Sequence, residues 1–167
     1  MKNVLVPALL VILSVPAHAH VTANPDHGKA GAYFQTALRV SHGCDGSATT
    51  SVHVKIPPEI ITVRPQAKPG WTIEIKTKKL EKPITSGHGK VIDEAVTDVI
   101  WSGGVLPDKH YDEFGLVMKL PEKNKATLWF PVIQECEKGS NQWVDIPKDV
   151  TQWHHAHRPA PFVKVTR

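Results

Sequence analysis

Beyond residue 20 the chain alternates apolar and polar positions in short runs set between Pro, Gly and Asp turns. Successive side chains of a strand point to opposite faces, so a period of two with many Val, Ile, Thr and aromatic residues predicts strands. Tyr33 to Ser41 reads as the first long strand and Thr50 to Ile56 as the second. In the second, Val52, Val54 and Ile56 face inward while His53 and Lys55 face solvent, which argues against His53 as a ligand. Trp71, Ile73 and Ile75 form the inward set of a third strand entered through Pro69-Gly70, with Thr72, Glu74 and Lys76 outward. Ser86-Gly87-His88-Gly89 predicts a turn with His88 at its tip. Val91 to Trp101 is the next strand, ended by Ser102-Gly103-Gly104. Tyr111 to Leu120 sets Phe114, Leu116, Met118 and Leu120 on one face and stops at Pro121. Thr127 to Gln134 and Phe162 to Val165 complete the set, and Pro159 and Pro161 suit a sheet edge better than a sheet interior. With no long helical pattern, the expected fold class is all-β: a single β-sandwich of antiparallel strands.

The first nineteen residues follow a different pattern. Lys2, an apolar run from Val4 to Val15, and Pro16 ahead of Ala17-His18-Ala19 are the parts of a secretory signal peptide. The run falls short of the roughly 20 apolar residues that span a bilayer. The expected organisation is therefore a cleaved leader over 1–19 and one domain over 20–167. The mature chain is expected to have no membrane span and to be exported, periplasmic or extracellular.

Cleavage after Ala19 makes His20 the first residue, and this is where candidate chemistry enters. A terminal α-amine and the Nδ1 of the same residue close a chelate ring on one metal ion, half of a histidine brace. Nitrogen donors suit Cu(II), which heads the divalent affinity series. An alternative copper motif with histidine at position three is absent, because that position is Thr22.

Composition narrows the field. Twenty Lys and Arg against 16 Asp and Glu leave a net charge of +4, spread along the chain. No basic block interleaved with aromatics marks a nucleic-acid surface, and Lys76, Lys78 and Lys79 read as a solvated face. The two cysteines, Cys44 and Cys136, are expected to form a disulfide in an exported chain. Closing a loop of about 90 residues contributes roughly 4–5 kcal/mol in the chain-entropy account. The other use of these thiols, a blue-copper site, fits poorly: no histidine follows Cys136 until His154, and Met118 is the one methionine beyond the leader.

Several motifs occur in order: His20-Val21-Thr22, Arg39-Val40-Ser41-His42-Gly43-Cys44, Pro69-Gly70-Trp71, Trp101-Ser102-Gly103-Gly104-Val105-Leu106-Pro107-Asp108, and Phe130-Pro131-Val132-Ile133-Gln134-Glu135-Cys136 ahead of Gly139 and Trp143. In that order the chain resembles the YcnI-like family of extracytoplasmic copper-binding proteins, over essentially all of residues 20–167. The resemblance implies an immunoglobulin-like or cupredoxin-like sandwich that binds Cu(II) through the terminal histidine, here His20. It also implies a tryptophan lying against the copper, which by position is Trp143. A role in copper trafficking or homeostasis follows, with other extracytoplasmic copper-handling proteins, a copper chaperone or a membrane copper transporter, as partners. Some relatives use a glutamate after the first long strand. This chain departs there, and His42 is the nearest donor of the right kind, with Asp45 and Glu135 as fallback ligands.

Trp153-His154-His155-Ala156-His157 is a second histidine cluster. On a strand, His155 and His157 would share a face and form a possible second metal site, His154 opposing them; a polar edge segment is the plainer reading. His27 and His110 receive no role. Binding without turnover is the expected function. The competing readings are a copper oxygenase using His20 and His42 as its brace, and a metal-free interaction module. The oxygenase needs a flat aromatic surface, whereas the five tryptophans fall mostly in strand-like segments. A Gly-x-Ser-x-Gly nucleophile turn is absent.

Overall fold

A computed structural model describes residues 20–86 and 89–167. The expected leader, residues 1–19, and the expected turn tip at His88 lie outside the described residues. The strands in chain order are β1 (Thr22–Asn24), β2 (His27–Lys29), β3 (Tyr33–Val40), β4 (Thr49–Lys55), β5 (Val63–Pro65) and β6 (Thr72–Thr85). They continue as β7 (Val91–Leu106), β8 (Asp112–Lys119), β9 (Thr127–Trp129), β10 (Val132–Cys136), β11 (Ser140–Trp143) and β12 (Phe162–Thr166). Between the last two, Val150–His155 forms a short 3-10 helix.

These strands make three sheets, ordered β1-β3-β8-β5, β11-β10-β4-β7-β6 and β2-β12-β9. The first two pack face to face through the inward residues that alternation predicts. Leu38 and Val40 of β3 and Phe114, Leu116 and Met118 of β8 meet Val52 and Val54 of β4 and Val99 and Trp101 of β7. The Trp101 and Phe114 rings close the gap edge to face, 5.5 Å apart. Val163 and Val165 of β12 join the same core and seal one side of the sandwich. All strand pairs are antiparallel except β2 with β12, which run parallel.

Four sequence expectations need correction. The Thr127 to Gln134 strand is two, β9 and β10, which belong to different sheets. Pro131, lacking a backbone N–H, stands at the break. The strand ending at Trp101 instead runs on to Leu106, because Ser102-Gly103-Gly104 forms an irregularity opposite Thr49 to Ser51 rather than a stop. There the Trp71 indole lies flat enough on Gly104 that an added Cβ would fall 2.1 Å from a ring atom. Ile75 is not inward: it is 46% exposed, since β6 is the sheet's outer strand and its hairpin with β7 outruns the core. From Thr77 to Ala95 no described side chain is buried, which leaves Lys78 and Lys79 solvated as expected. Finally, Pro159 to Pro161 lie outside the three sheets but are buried, bridged at Pro159 to Asp145.

Candidate metal centre

His20 sits where the start of β1, the end of β11 and the 3-10 helix come together. The β1–β3 register pairs Thr22 with Arg39 and Ala23 with Leu38. Carried back two residues, it sets His20 opposite Ser41 and next to His42. Val21 is buried and anchors this start of the chain in the core. Both imidazoles lie against one indole: the Trp143 ring is 5.8 Å from that of His20 and 6.2 Å from that of His42, centroid to centroid. Trp143 closes β11 and is 6% exposed.

A buried glutamine holds this arrangement. Gln134 of β10 is fully buried, and its Nε2 donates to the carbonyl of His42 at 2.7 Å and to Thr49 Oγ1 at 2.7 Å. Its Oε1 accepts from Trp143 Nε1 at 3.0 Å. An indole N–H can only donate, which fixes the orientation of the amide. The loop carrying His42 is therefore tied by one side chain to the indole beside it. Asp108 adds a second tie by accepting from the Gly43 N–H at 3.0 Å. Gly43 admits no side chain, because a Cβ would fall 1.9 Å from the Ser47 carbonyl oxygen.

The His42 ring itself is oriented. Its Nδ1 lies 2.6 Å from the Gly43 carbonyl oxygen, which can only accept. In the neutral ring the proton therefore sits on Nδ1 and the lone pair on Nε2. This is the pattern in which a backbone carbonyl sets the tautomer of a metal-binding histidine. Cys44, two residues on, is bridged to Cys136 with Cα atoms 6.0 Å apart, as expected of the pair. Asp45 and Gly46 between Cys44 and Ser47 take positive φ values of 48° and 85° and make a tight two-residue turn.

The fallback residues are placed differently. Asp45 is exposed on that turn, and Glu135 is exposed on the outer face of β10, opposite to its neighbour Gln134. His155 and His157 are exposed as well, and they do not share a strand face: this segment is the 3-10 helix and the bend after it. Asp149 caps that helix by accepting from the Thr151 N–H and hydroxyl, contacts that hold its carboxyl below the usual range. His53 reaches Asp98 Oδ1 at 2.7 Å. Burial alone would raise the Asp98 pKa, but the hydrogen bonds from His53 and Thr97 and the nearby charges of His53 and Lys55 outweigh it, and the group lies lower than usual. His27 pairs with Asp26 at 2.9 Å, and His110 is exposed in a turn.

Sequence reading passed over two residues. Gln134 carried a usable signal, a polar residue on the inward face of a strand between Val132 and Cys136. Trp153 is the other: its ring stands edge to face with His20 at 5.1 Å. It was hidden by reading the segment around it as strand.

No three His, Cys, Asp or Glu side chains cluster as metal donors among the described residues. A site here has two imidazoles and needs its further donor from the backbone, which is what the α-amine of a terminal His20 supplies. The donor set thus fits Cu(II) on that condition.

Fold and site together define an immunoglobulin-like β-sandwich with a histidine–indole cluster at one end. The chain belongs to the family described as "Domain of unknown function (DUF1775)", whose match covers residues 20–165, in line with the YcnI-like resemblance. Over 122 residues it is 25% identical to "Copper-binding protein CutI" of Bacillus subtilis (strain 168), an alignment covering 72% of this chain and 52% of CutI. The chain thus spans about half the length of that curated relative. It is also similar to an uncharacterized protein from Nocardia farcinica whose crystal structure reveals an immunoglobulin-like fold. That likeness has a TM-score of 0.64 at 25% identity and covers 89% of this chain and 99% of the other. Among the described residues no helix is long and apolar enough to cross a membrane.

Proposed function

We propose that this protein binds Cu(II) outside the cytoplasm, through the α-amine and Nδ1 of a terminal His20 with His42 Nε2 as the third nitrogen. The observation that carries the reading is the pairing of His20 and His42 on the Trp143 indole in a relative of a copper-binding protein. The oriented tautomer of His42 supports it, since an imidazole held by a carbonyl needs no reorganisation to ligate. The role is copper trafficking or homeostasis, with a copper chaperone or membrane copper transporter as partner. Binding is favoured over oxygenase turnover because all five tryptophans are buried or half-buried, so none of them offers a flat exposed surface to a polymer.

The test is a Cu(II) titration of the chain starting at His20, beside one carrying an extra residue ahead of it. The expected result is tight binding by the first and loss of the site in the second. Equal binding by both would overturn the brace, and release of oxidised sugars with peroxide turnover would favour the oxygenase. Mass spectrometry of the exported protein checks that it starts at His20.

A further inference from the structure

The 3-10 segment does more at this site than close the chain. Trp153 is its one buried residue, and its indole N–H donates to the Ala160 carbonyl at 2.7 Å. The ring also meets Phe162 of β12 edge to face at 5.8 Å. The stretch after the helix is fastened back to Asp145 ahead of it, whose N–H donates to the Arg158 carbonyl at 3.0 Å and whose carbonyl accepts from Ala160 at 2.9 Å. Trp153 is thereby fixed by groups that do not include His20, yet its ring comes within 5.1 Å of the His20 ring at a 77° interplanar angle. The same imidazole has Trp143 on another side, tilted by 49°. His20 stands between two indoles, each locked by its own hydrogen bond.

We infer that Trp153 is a positioning residue for the metal site, holding the His20 imidazole in the rotamer that lets its Nδ1 and α-amine point to one ion. The inference rests on the Cu(II) reading above and concerns a residue outside the donor set. An exposed terminal residue ordinarily samples several rotamers, and a chelate ring needs one of them. Edge-on packing by a fixed indole selects a ring orientation without donating a bond. It also covers the imidazole, so a bound ion leaves more slowly.

The test uses the chain starting at His20 with Trp153→Phe and Trp153→Ala, and Tyr33→Phe as a control, an exposed residue at the far end of β3 from His20. In the metal-free protein, NMR should show ring-current shifts of the His20 protons that shrink in Trp153→Ala to the share owed to Trp143 and persist in full in the control. With Cu(II), Trp153→Ala should alter the electron paramagnetic resonance hyperfine pattern and speed release to a chelator by about 10-fold or more. Trp153→Phe should recover most of both. A folded Trp153→Ala protein with wild-type shifts, spectrum and release rate would overturn the inference. Should that variant not fold, a Trp153→Phe protein whose His20 shifts are identical to wild type overturns it instead, since exchanging an indole for a smaller ring packed there must alter them. Wild-type chain that takes up no Cu(II) sinks the binding reading alone, because the metal-free NMR still decides whether Trp153 holds His20.

Discussion

The indole N–H of Trp143 donates to Gln134 Oε1 at 3.0 Å inside a core where Gln134 is fully buried. One amide so joins an aromatic beside His20 to the backbone of His42. Replacing it with leucine keeps the volume but strands a buried indole N–H, a carbonyl and a hydroxyl. Gln134→Leu should lower stability by about 2–4 kcal/mol in urea unfolding and weaken Cu(II) binding, through groups left without partners. Unchanged stability would mean that water satisfies them.

The Cys44–Cys136 bridge ties the loop after β3 to the end of β10. The double variant Cys44→Ser/Cys136→Ser should unfold with a free energy lower by roughly 4–5 kcal/mol, measured with denaturant at fixed temperature. Since His42 precedes Cys44 by two residues, Cu(II) affinity should fall as well.

Affinity for Cu(II) should depend on pH through the terminal amine. Its unperturbed pKa is about 7.7–8.0, and the ligand must be deprotonated. Below that value the apparent affinity of the chain starting at His20 should drop by about tenfold per pH unit, read by competition titration. A flat profile from pH 8 to 6 would exclude the amine.

His53 and Asp98 give a separate, structural pH dependence. The Asp98 pKa is lower in the folded chain than its ordinary value, so the pair's contribution is complete above about pH 4 and disappears as pH falls through the folded value. Asp98→Asn should cost about 0.5–1.5 kcal/mol at pH 7 and close to nothing at the acid limit. Urea unfolding at a series of pH values measures both.

Gly104 and Gly103 separate packing from backbone strain. A Cβ at Gly104 would sit 2.1–2.4 Å from three atoms of the Trp71 ring, while Gly103, with φ of 82°, has open space around it. Gly104→Ala should destabilise by about 1–3 kcal/mol and shift tryptophan near-UV dichroism. Gly103→Ala should leave that signal in place.

How far the sequence carried the fold depends on burial. Where a strand lies over the core, as at Val52, Val54, Phe114 and Leu116, alternation named the inward residues correctly. It failed at Ile75, where the strand is the edge of a hairpin that leaves the core behind, and at Pro131, where one apolar run crosses between two sheets. His20 stood out through the chelate a terminal histidine would make, while His42 and Trp143 came from the family resemblance, and the fold brings the three rings together. Trp153 was not, since its meeting with His20 depends on how the 150–161 segment folds back, which no local pattern encodes.

The histidine–indole cluster draws on residues from 20 to 153: the segments beside β1 and β3 give the histidines, β11 gives Trp143 and the 3-10 helix gives Trp153. Such a pocket cannot exist in a half-formed polypeptide: its first residue meets its last wall only when tail and head have docked. An ion held by this arrangement would therefore report that the two ends of the domain have met.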